Sequence, residues 1–259
     1  MNSMRWRGTA LVTGASSGLG EEFARQMAQR GCDIIAAARR ADRLQAVCER
    51  IQAETGRNAV WRVVDLATEE GVQTLLASLD RERIVPDYLV NNAGRGYYGA
   101  AVNASAPTNQ QMLRLNVEAL TTLSLEIGKR MVQRGQGAIL NVASAIAYQP
   151  APYFAVYAAT KAFVLSFSEA LAAELSGSGV RVCTICPGAT DSEFSRVAGF
   201  RTAIPFATSA RDCVRRSLNA FESGSLTYID GPLNAAGVLF ARFIPRAFVT
   251  RAIAIATQK

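Results

Sequence analysis

Residues 9–20 read TALVTGASSGLG, and the reading of the whole chain turns on them. Ala10, Leu11 and Val12 form a short apolar run that ends at Thr13 and meets Gly14, Gly18 and Gly20. An amphipathic stretch, residues 21–30, follows. That order describes a buried strand, a tight turn and the opening of a helix. A helix N-terminus presents unpaired N–H groups and the positive end of the peptide dipole, so it attracts phosphate. Glycines let the backbone approach a pyrophosphate and let the helix lie close on its strand. The spacing is G-x-x-x-G-x-G rather than the commoner G-x-G-x-x-G. Taken alone, it fits an ordinary glycine-rich turn as well as a phosphate cradle.

The rest of the chain decides between the two. Its 259 residues suit one large α/β domain or two small ones, with 49% hydrophobic and 19% charged residues as in ordinary globular proteins. The net charge of +7 admits nucleic acid, a membrane surface or an anionic small molecule as partner. The arginines are scattered without a basic block or interleaved aromatics, which argues against nucleic acid. Histidine is absent, removing the commonest general base and metal ligand. Cys183 and Cys186 have the spacing of a metal or redox pair, but they lie in a strand-like run, VRVCTIC. No second pair supports them, so no metal site is expected and all five cysteines read as buried thiols in a reducing compartment. The opening MNSMRWRG lacks the apolar core of a signal peptide, and no apolar run reaches the length of a membrane span. Cytoplasm is the expected setting.

Past the first helix, stopped by Gly31, residues 33–38 (DIIAAA) read as a second strand. Asp42 is expected to cap a helix running to about Thr55. Residues 59–64 form a third strand, Thr68 with Glu69 and Glu70 opens a helix, and residues 88–90 make a fourth strand. Long helical patterns span residues 108–134 and 153–175, with strands at 138–142 and 180–186. A helix at 209–221 and a strand at 226–229 complete the order. Strands alternating with helices, with no linker or repeat between them, predict a single domain built on one doubly wound parallel sheet of about seven strands, covered on both faces. Ligands of such sheets lie at the carboxyl ends of the strands. Gly14, Arg39, Asp65, Asn92, Ser144 and Gly188 each follow a strand, which implies a shared cleft.

Tyr157 and Lys161 are four apart in a helical segment and so share a face. Ionising a phenol of pKa near 10 at pH 7 costs about 4 kcal/mol, and a neighbouring ammonium lowers that cost. Tyr157 is therefore a candidate to exchange a proton with an alcohol or alkoxide, with Ser144 orienting the same oxygen. In isolation, Y-x-x-x-K on a helix is more often a solvated pair.

In company it is specific. Residues 13–20 (TGASSGLG), Asp65-Leu66, residues 91–94 (NNAG), Asn116, Ser144, Tyr157-x-x-x-Lys161 and Pro187-Gly188 stand in the order and at the spacings of one family. Over nearly its whole length the chain resembles the short-chain dehydrogenases/reductases. The resemblance implies a Rossmann-like seven-stranded sheet and hydride transfer between a nicotinamide and a carbonyl or alcohol. It assigns the acid/base to Tyr157, and to Lys161 the nicotinamide ribose and a lowering of the tyrosine pKa. Substrate positioning falls to Ser144. Asn116, where the helix is locally irregular, would hold a relay water through its main chain. The cofactor would lie on Gly14, Ser16, Ser17, Gly18, Leu19 and Gly20. Asp65 and Leu66 would sit at the adenine, Asn92, Ala93 and Gly94 along the wall, and Pro187, Gly188 and Thr190 over the nicotinamide. Where the family often has threonine four positions beyond the glycine, this chain has Ser192. The resemblance also implies a homodimer or homotetramer built on the two long helices.

An acid at the end of the second strand would accept from a ribose 2′-hydroxyl and repel a 2′-phosphate. Ala38 stands there, followed by Arg39 and Arg40, and a guanidinium grips phosphate with two hydrogen bonds. NADP(H) is expected over NAD(H), with Arg39 the first contact and Arg40 the second.

Tyr97, Tyr98, Ile146, Tyr148, Tyr153, Phe154, Phe194 and Phe200 suggest a roomy apolar substrate pocket, although aromatic residues are more often plain packing. Residues 191–208 show little periodicity and read as a lid. Residues 232–259 contain no acid, but hold Arg242, Arg246, Arg251 and Lys259 among apolar residues. This tail is expected to cover the cleft or a subunit interface, with an anionic membrane surface as the alternative. Two other functions compete with hydride transfer. A non-catalytic NADP(H)-binding regulator would be expected to lack the tyrosine or lysine, and an epimerase or dehydratase would need a longer chain.

Overall fold

A computed structural model describes residues 6–191, 193–199 and 207–257. Seven parallel strands form one sheet: β1 (Thr9–Thr13), β2 (Asp33–Ala38), β3 (Ala59–Val63), β4 (Tyr88–Asn91), β5 (Gly137–Val142), β6 (Val180–Cys186) and, late in the chain, β9 (Thr227–Ile229). Their order is β3-β2-β1-β4-β5-β6-β9. Between β6 and β9 the short strands β7 (Thr190–Asp191) and β8 (Thr208–Ser209) pair with each other, in register Thr190 to Thr208.

Strand alternation builds both layers. Ala10, Val12, Ile34 and Ala36 face one way, packing against Phe23 and Met27 of α1 (Gly18–Gln29), Leu44 and Ile51 of α2 (Ala41–Thr55), and Leu218 and Phe221 of α8 (Ala210–Glu222). Leu11, Ile35 and Leu89 face the other way, against Leu75 and Leu79 of α3 (Glu69–Arg81), Leu123 and Ile127 of α5 (Leu120–Arg134), and Leu171 of α6 (Ala155–Glu174). Covered faces explain why the strands read as unbroken apolar runs. The chain winds outward in opposite directions from β1, so the crevice beyond the carboxyl ends of β1 and β4 is where such a sheet holds a ligand.

Local departures from the sequence reading have physical reasons. Asp42 does not cap α2. The extended backbone of Arg40 is the N-cap, and Asp42 lies in the first turn, where its charge favours the dipole. The helix expected from Thr108 begins at Ala106 with α4 (Ala106–Leu113), capped by Ser105, whose hydroxyl accepts from the N–H of Thr108. It passes through a π-helical stretch, Arg114–Ala119, into α5, so the expected irregularity falls on Asn116. The segment read as lacking periodicity contains a short helix, α7 (Glu193–Val197). Ser192 and Phe200 lie outside the described residues. The tail folds as α9 (Pro232–Ala241) and α10 (Arg246–Thr257), divided at Pro245.

Candidate functional site

A cavity of about 610 Å³ opens along the carboxyl ends of β1, β2, β4, β5 and β6. At the β1 end its wall is Gly14, Ser16, Ser17, Gly18 and Leu19. Gly14 and Gly18 adopt φ of +68° and +59°, conformations costly for other residues. Ser17 is the N-cap of α1 yet makes no side-chain cap bond, leaving first-turn N–H groups to a ligand. Gly20 is not on this wall. A Cβ there would stand 2.2 Å from the Gly14 carbonyl oxygen, so its role is close packing of helix on turn. Asn92 ties β4 to β1, its side-chain amide donating to the Thr13 carbonyl at 3.0 Å.

The two arginines after β2 differ. Arg39 is two-thirds exposed, with its nearest carboxylate, that of Asp65, at 3.9 Å. Arg40 is held: it donates to Ser16 Oγ at 3.0 Å, to Ser17 Oγ at 2.7 Å and to the Glu193 carboxylate at 3.0 Å. Arg43 reaches the same carboxylate at 2.8 Å. These bonds from Arg43 and Arg40 draw the Glu193 pKa down to about 2. Asp65, Leu66, Ala93, Gly94, Pro187, Gly188 and Thr190 complete the expected lining.

At the other end Ser144, Tyr157 and Lys161 meet. Ser144 follows β5 and caps the short 3-10 turn Ala145–Tyr148, its hydroxyl accepting from the N–H of Ile146. Tyr157 is buried, between the rings of Phe194 at 5.2 Å and Phe154 at 6.3 Å. Burial raises its phenol above the ordinary value, with the neighbouring Ser144 hydroxyl pulling the other way. The net shift is upward, where the sequence reading expects a lowering by Lys161. Its ammonium donates to the Val142 carbonyl at 2.7 Å and stands 5.8 Å from the Tyr157 ring centre. Burial brings the lysine itself down to about 8.

Asn116 is near but behind the wall. Its Oδ1 accepts from the Arg95 N–H at 2.9 Å, and its Nδ2 donates to the Arg95 carbonyl at 2.9 Å and to Thr160 Oγ1 at 3.0 Å. The side chain thus fastens the loop after β4 to α6, the helix that carries Tyr157 and Lys161.

A model of the family described as short chain dehydrogenase matches residues 8–199. The chain belongs to the short-chain dehydrogenase family. It is 38% identical over 189 residues to the NADP-dependent 3-hydroxy acid dehydrogenase of Escherichia coli, covering 72% of this chain and 75% of that one. It is 34% identical over 187 residues, 71% of its length, to a short chain dehydrogenase of Pseudocercospora fijiensis. The chain spans 60% of that fungal relative and 32% of a mycobacterial one. A short-chain dehydrogenase from Sphingobium yanoikuyae, solved in complex with NADPH, superposes with a TM-score of 0.83 at 33% identity, covering 93% of this chain and 97% of the other.

In this member of the family the expected aromatic pocket is only partly on the wall. Ile146, Phe154 and Phe194 line the cavity, but Tyr97, Tyr98, Tyr148 and Tyr153 do not. Tyr98 packs on Phe154 at 5.0 Å and donates its hydroxyl to the Thr257 carbonyl, forming a layer behind the wall. Glu193, Gln111, Leu115, Asn234 and Thr257 also line the cavity and escaped the sequence reading. Glu193 carried one available signal, an acid opening a helix.

Proposed function

We propose that the protein is an NADPH-preferring oxidoreductase that interconverts a carbonyl and an alcohol on a hydrophobic small molecule. One observation carries the reading: Ser144, Tyr157 and Lys161 converge at one end of a cavity whose other end carries Arg39, Arg40 and an uncapped helix N-terminus. The residues fit a dinucleotide. Gly14, Ser16, Ser17, Gly18 and Leu19 would hold its phosphates, Asp65 and Leu66 its adenine, and Asn92, Ala93, Gly94, Lys161, Pro187, Gly188 and Thr190 its nicotinamide half. Bound there, the cofactor supplies a hydride donor or acceptor. A 2′-phosphate suits the exposed guanidinium of Arg39 and the Arg40 that Ser16 and Ser17 hold in place, with uncharged Ala38 where an acid would select NAD(H). The names of the E. coli and Sphingobium relatives support the same preference.

The chain's own groups supply the rest. The buried phenol of Tyr157 keeps its proton near neutral pH and gives it to the oxygen of a carbonyl under reduction. Ser144 orients that oxygen. Lys161 stabilises the phenolate that remains. Ile146, Phe154, Phe194 and Leu115 offer the substrate an apolar wall that keeps water away. An intact Ser144, Tyr157 and Lys161 at the cavity weigh against a purely regulatory role.

Association of copies through α5 and α6 is part of the proposal. Leu125, Val132 and Phe163 are exposed there, and Phe163 stacks on Phe167 at 5.8 Å. The test of the reaction is NADPH oxidation with a panel of hydrophobic ketones and aldehydes, Tyr157→Phe serving as blank. Turnover by the wild type alone supports the reading, and equal turnover in the blank overturns it.

A further inference from the structure

We propose that the corner between α9 and α10 is a docking site for an anionic lipid surface. The two helices are turned the unexpected way round. Leu233 and Phe240, one heptad apart on α9, are 79% and 68% exposed, and Phe248 and Ile255, one heptad apart on α10, are 64% and 77% exposed. Residues seven apart lie on one stripe of a helix, so each helix presents an apolar stripe outward. Phe243, in the connection, is 82% exposed. Phe240, Phe243 and Phe248 therefore gather three solvent-facing phenyl rings within nine residues of chain at one corner. Single exposed apolar side chains need no explanation, but a concentration of large ones marks a surface that meets a partner.

Charge selects the partner. Arg242, Arg246 and Arg251 are exposed among these rings, residues 232–259 contain no acid, and the three arginines make no ion pair among the described residues. Two copies meeting through this same surface would set arginines against arginines, because a two-fold contact places the patch on itself. A bilayer with anionic headgroups accepts both halves of the pattern, with rings at the acyl boundary and guanidinium groups among phosphates. No helix among the described residues is long and apolar enough to cross a membrane, so the contact is peripheral. The corner is also joined to the cavity at both sides, since Asn234 of α9 and Thr257 of α10 line it. A docked molecule would hold its cavity rim beside the phase in which an apolar substrate dissolves. That last step rests on the reaction proposed above, whereas docking does not.

Flotation of the full chain with vesicles, in the absence of substrate, tests the docking. Binding is expected to phosphatidylcholine vesicles carrying about 30% phosphatidylglycerol, with little to phosphatidylcholine alone and release in about 0.5 M salt. Both F240S/F243S/F248S and R242Q/R246Q/R251Q are expected to lower the bound fraction roughly tenfold. Their unchanged thermal midpoints, rather than their activity, would certify the fold. Absence of wild-type flotation, or equal flotation of both variants, overturns the proposal. So does a wild-type oligomer that the phenylalanine variant dissociates in light scattering while vesicles bind neither protein.

Discussion

Glu193 of α7 reaches Arg40 at 3.0 Å across most of the chain, while its neighbour Phe194 lies 5.2 Å from the Tyr157 ring. One short helix thus touches both ends of the cavity. The Glu193 carboxylate is drawn down to about 2 by Arg43 and Arg40, so the clasp is complete above about pH 4.5 and lost only as pH falls through about 2. At neutral pH the carboxylate would compete with the 2′-phosphate of the proposed cofactor for the same guanidinium. Glu193→Gln should tighten NADPH about two- to fivefold and leave NADH unchanged, measured by fluorescence titration. Parallel weakening of both cofactors would show that Glu193 acts as a cover instead.

Arg39 is expected to carry the phosphate preference because, among the described residues, its one ion pair is the long contact with Asp65 at 3.9 Å. Arg39→Ala should raise the NADPH dissociation constant roughly 10- to 100-fold, the range for charge-assisted hydrogen bonds, with NADH almost unaffected. An equal loss for both cofactors would remove Arg39 from the phosphate site.

The proposed acid/base roles of Tyr157 and Lys161 predict a pH profile. Burial holds the Tyr157 phenol above its ordinary value, so its proton is present throughout the neutral range, whereas Lys161 loses its charge as pH rises through about 8. Carbonyl reduction should fall on the alkaline side near that value, and Lys161→Arg should move the limb upward because arginine stays charged. Tyr157→Phe should lower kcat by about 10²- to 10⁴-fold with little change in thermal stability. A wild-type profile flat to pH 10 would rule out Lys161 as the group responsible.

Gly20 tests packing apart from chemistry. A methyl group there meets the Gly14 carbonyl oxygen at 2.2 Å and Asn92 Nδ2 at 2.5 Å, one of them backbone and the other tied to Thr13. Gly20→Ala should cost about 1–3 kcal/mol and lower Tm by roughly 3–10 °C in calorimetry. An unchanged Tm would mean that the turn is looser than its geometry indicates.

The fold was legible where local signals were redundant. β6 could be bounded correctly because seven strand-forming residues sit between Gly179 and Pro187. Ser144, Tyr157 and Lys161 were legible because their motif fixes both residue type and spacing. The substrate wall was not. Aromatic content says that rings are present but not which way they point, and Tyr98 and Tyr153 point into a layer behind the cavity. Glu193 was hidden because α7, at five residues, is too short to show a period, and its partner Arg40 is 153 positions away. The upward shift of the Tyr157 phenol was not legible because burial beside Phe154 and Phe194 arises from packing and leaves no mark in a motif.

The wall of the cavity is divided by chain position. Ser144, Tyr157, Lys161 and the arginines after β2 all precede the end of β6, whereas Thr190, Glu193, Phe194, Val197, Asn234 and Thr257 all follow it. The apolar side is shared, since Leu115, Ile146 and Phe154 come before Cys186 and Phe194 and Val197 after it. A single crossover in β6 would therefore exchange one side of the cavity while Ser144, Tyr157 and Lys161 stay in place, and a lineage could reshape that cavity by altering its last third alone.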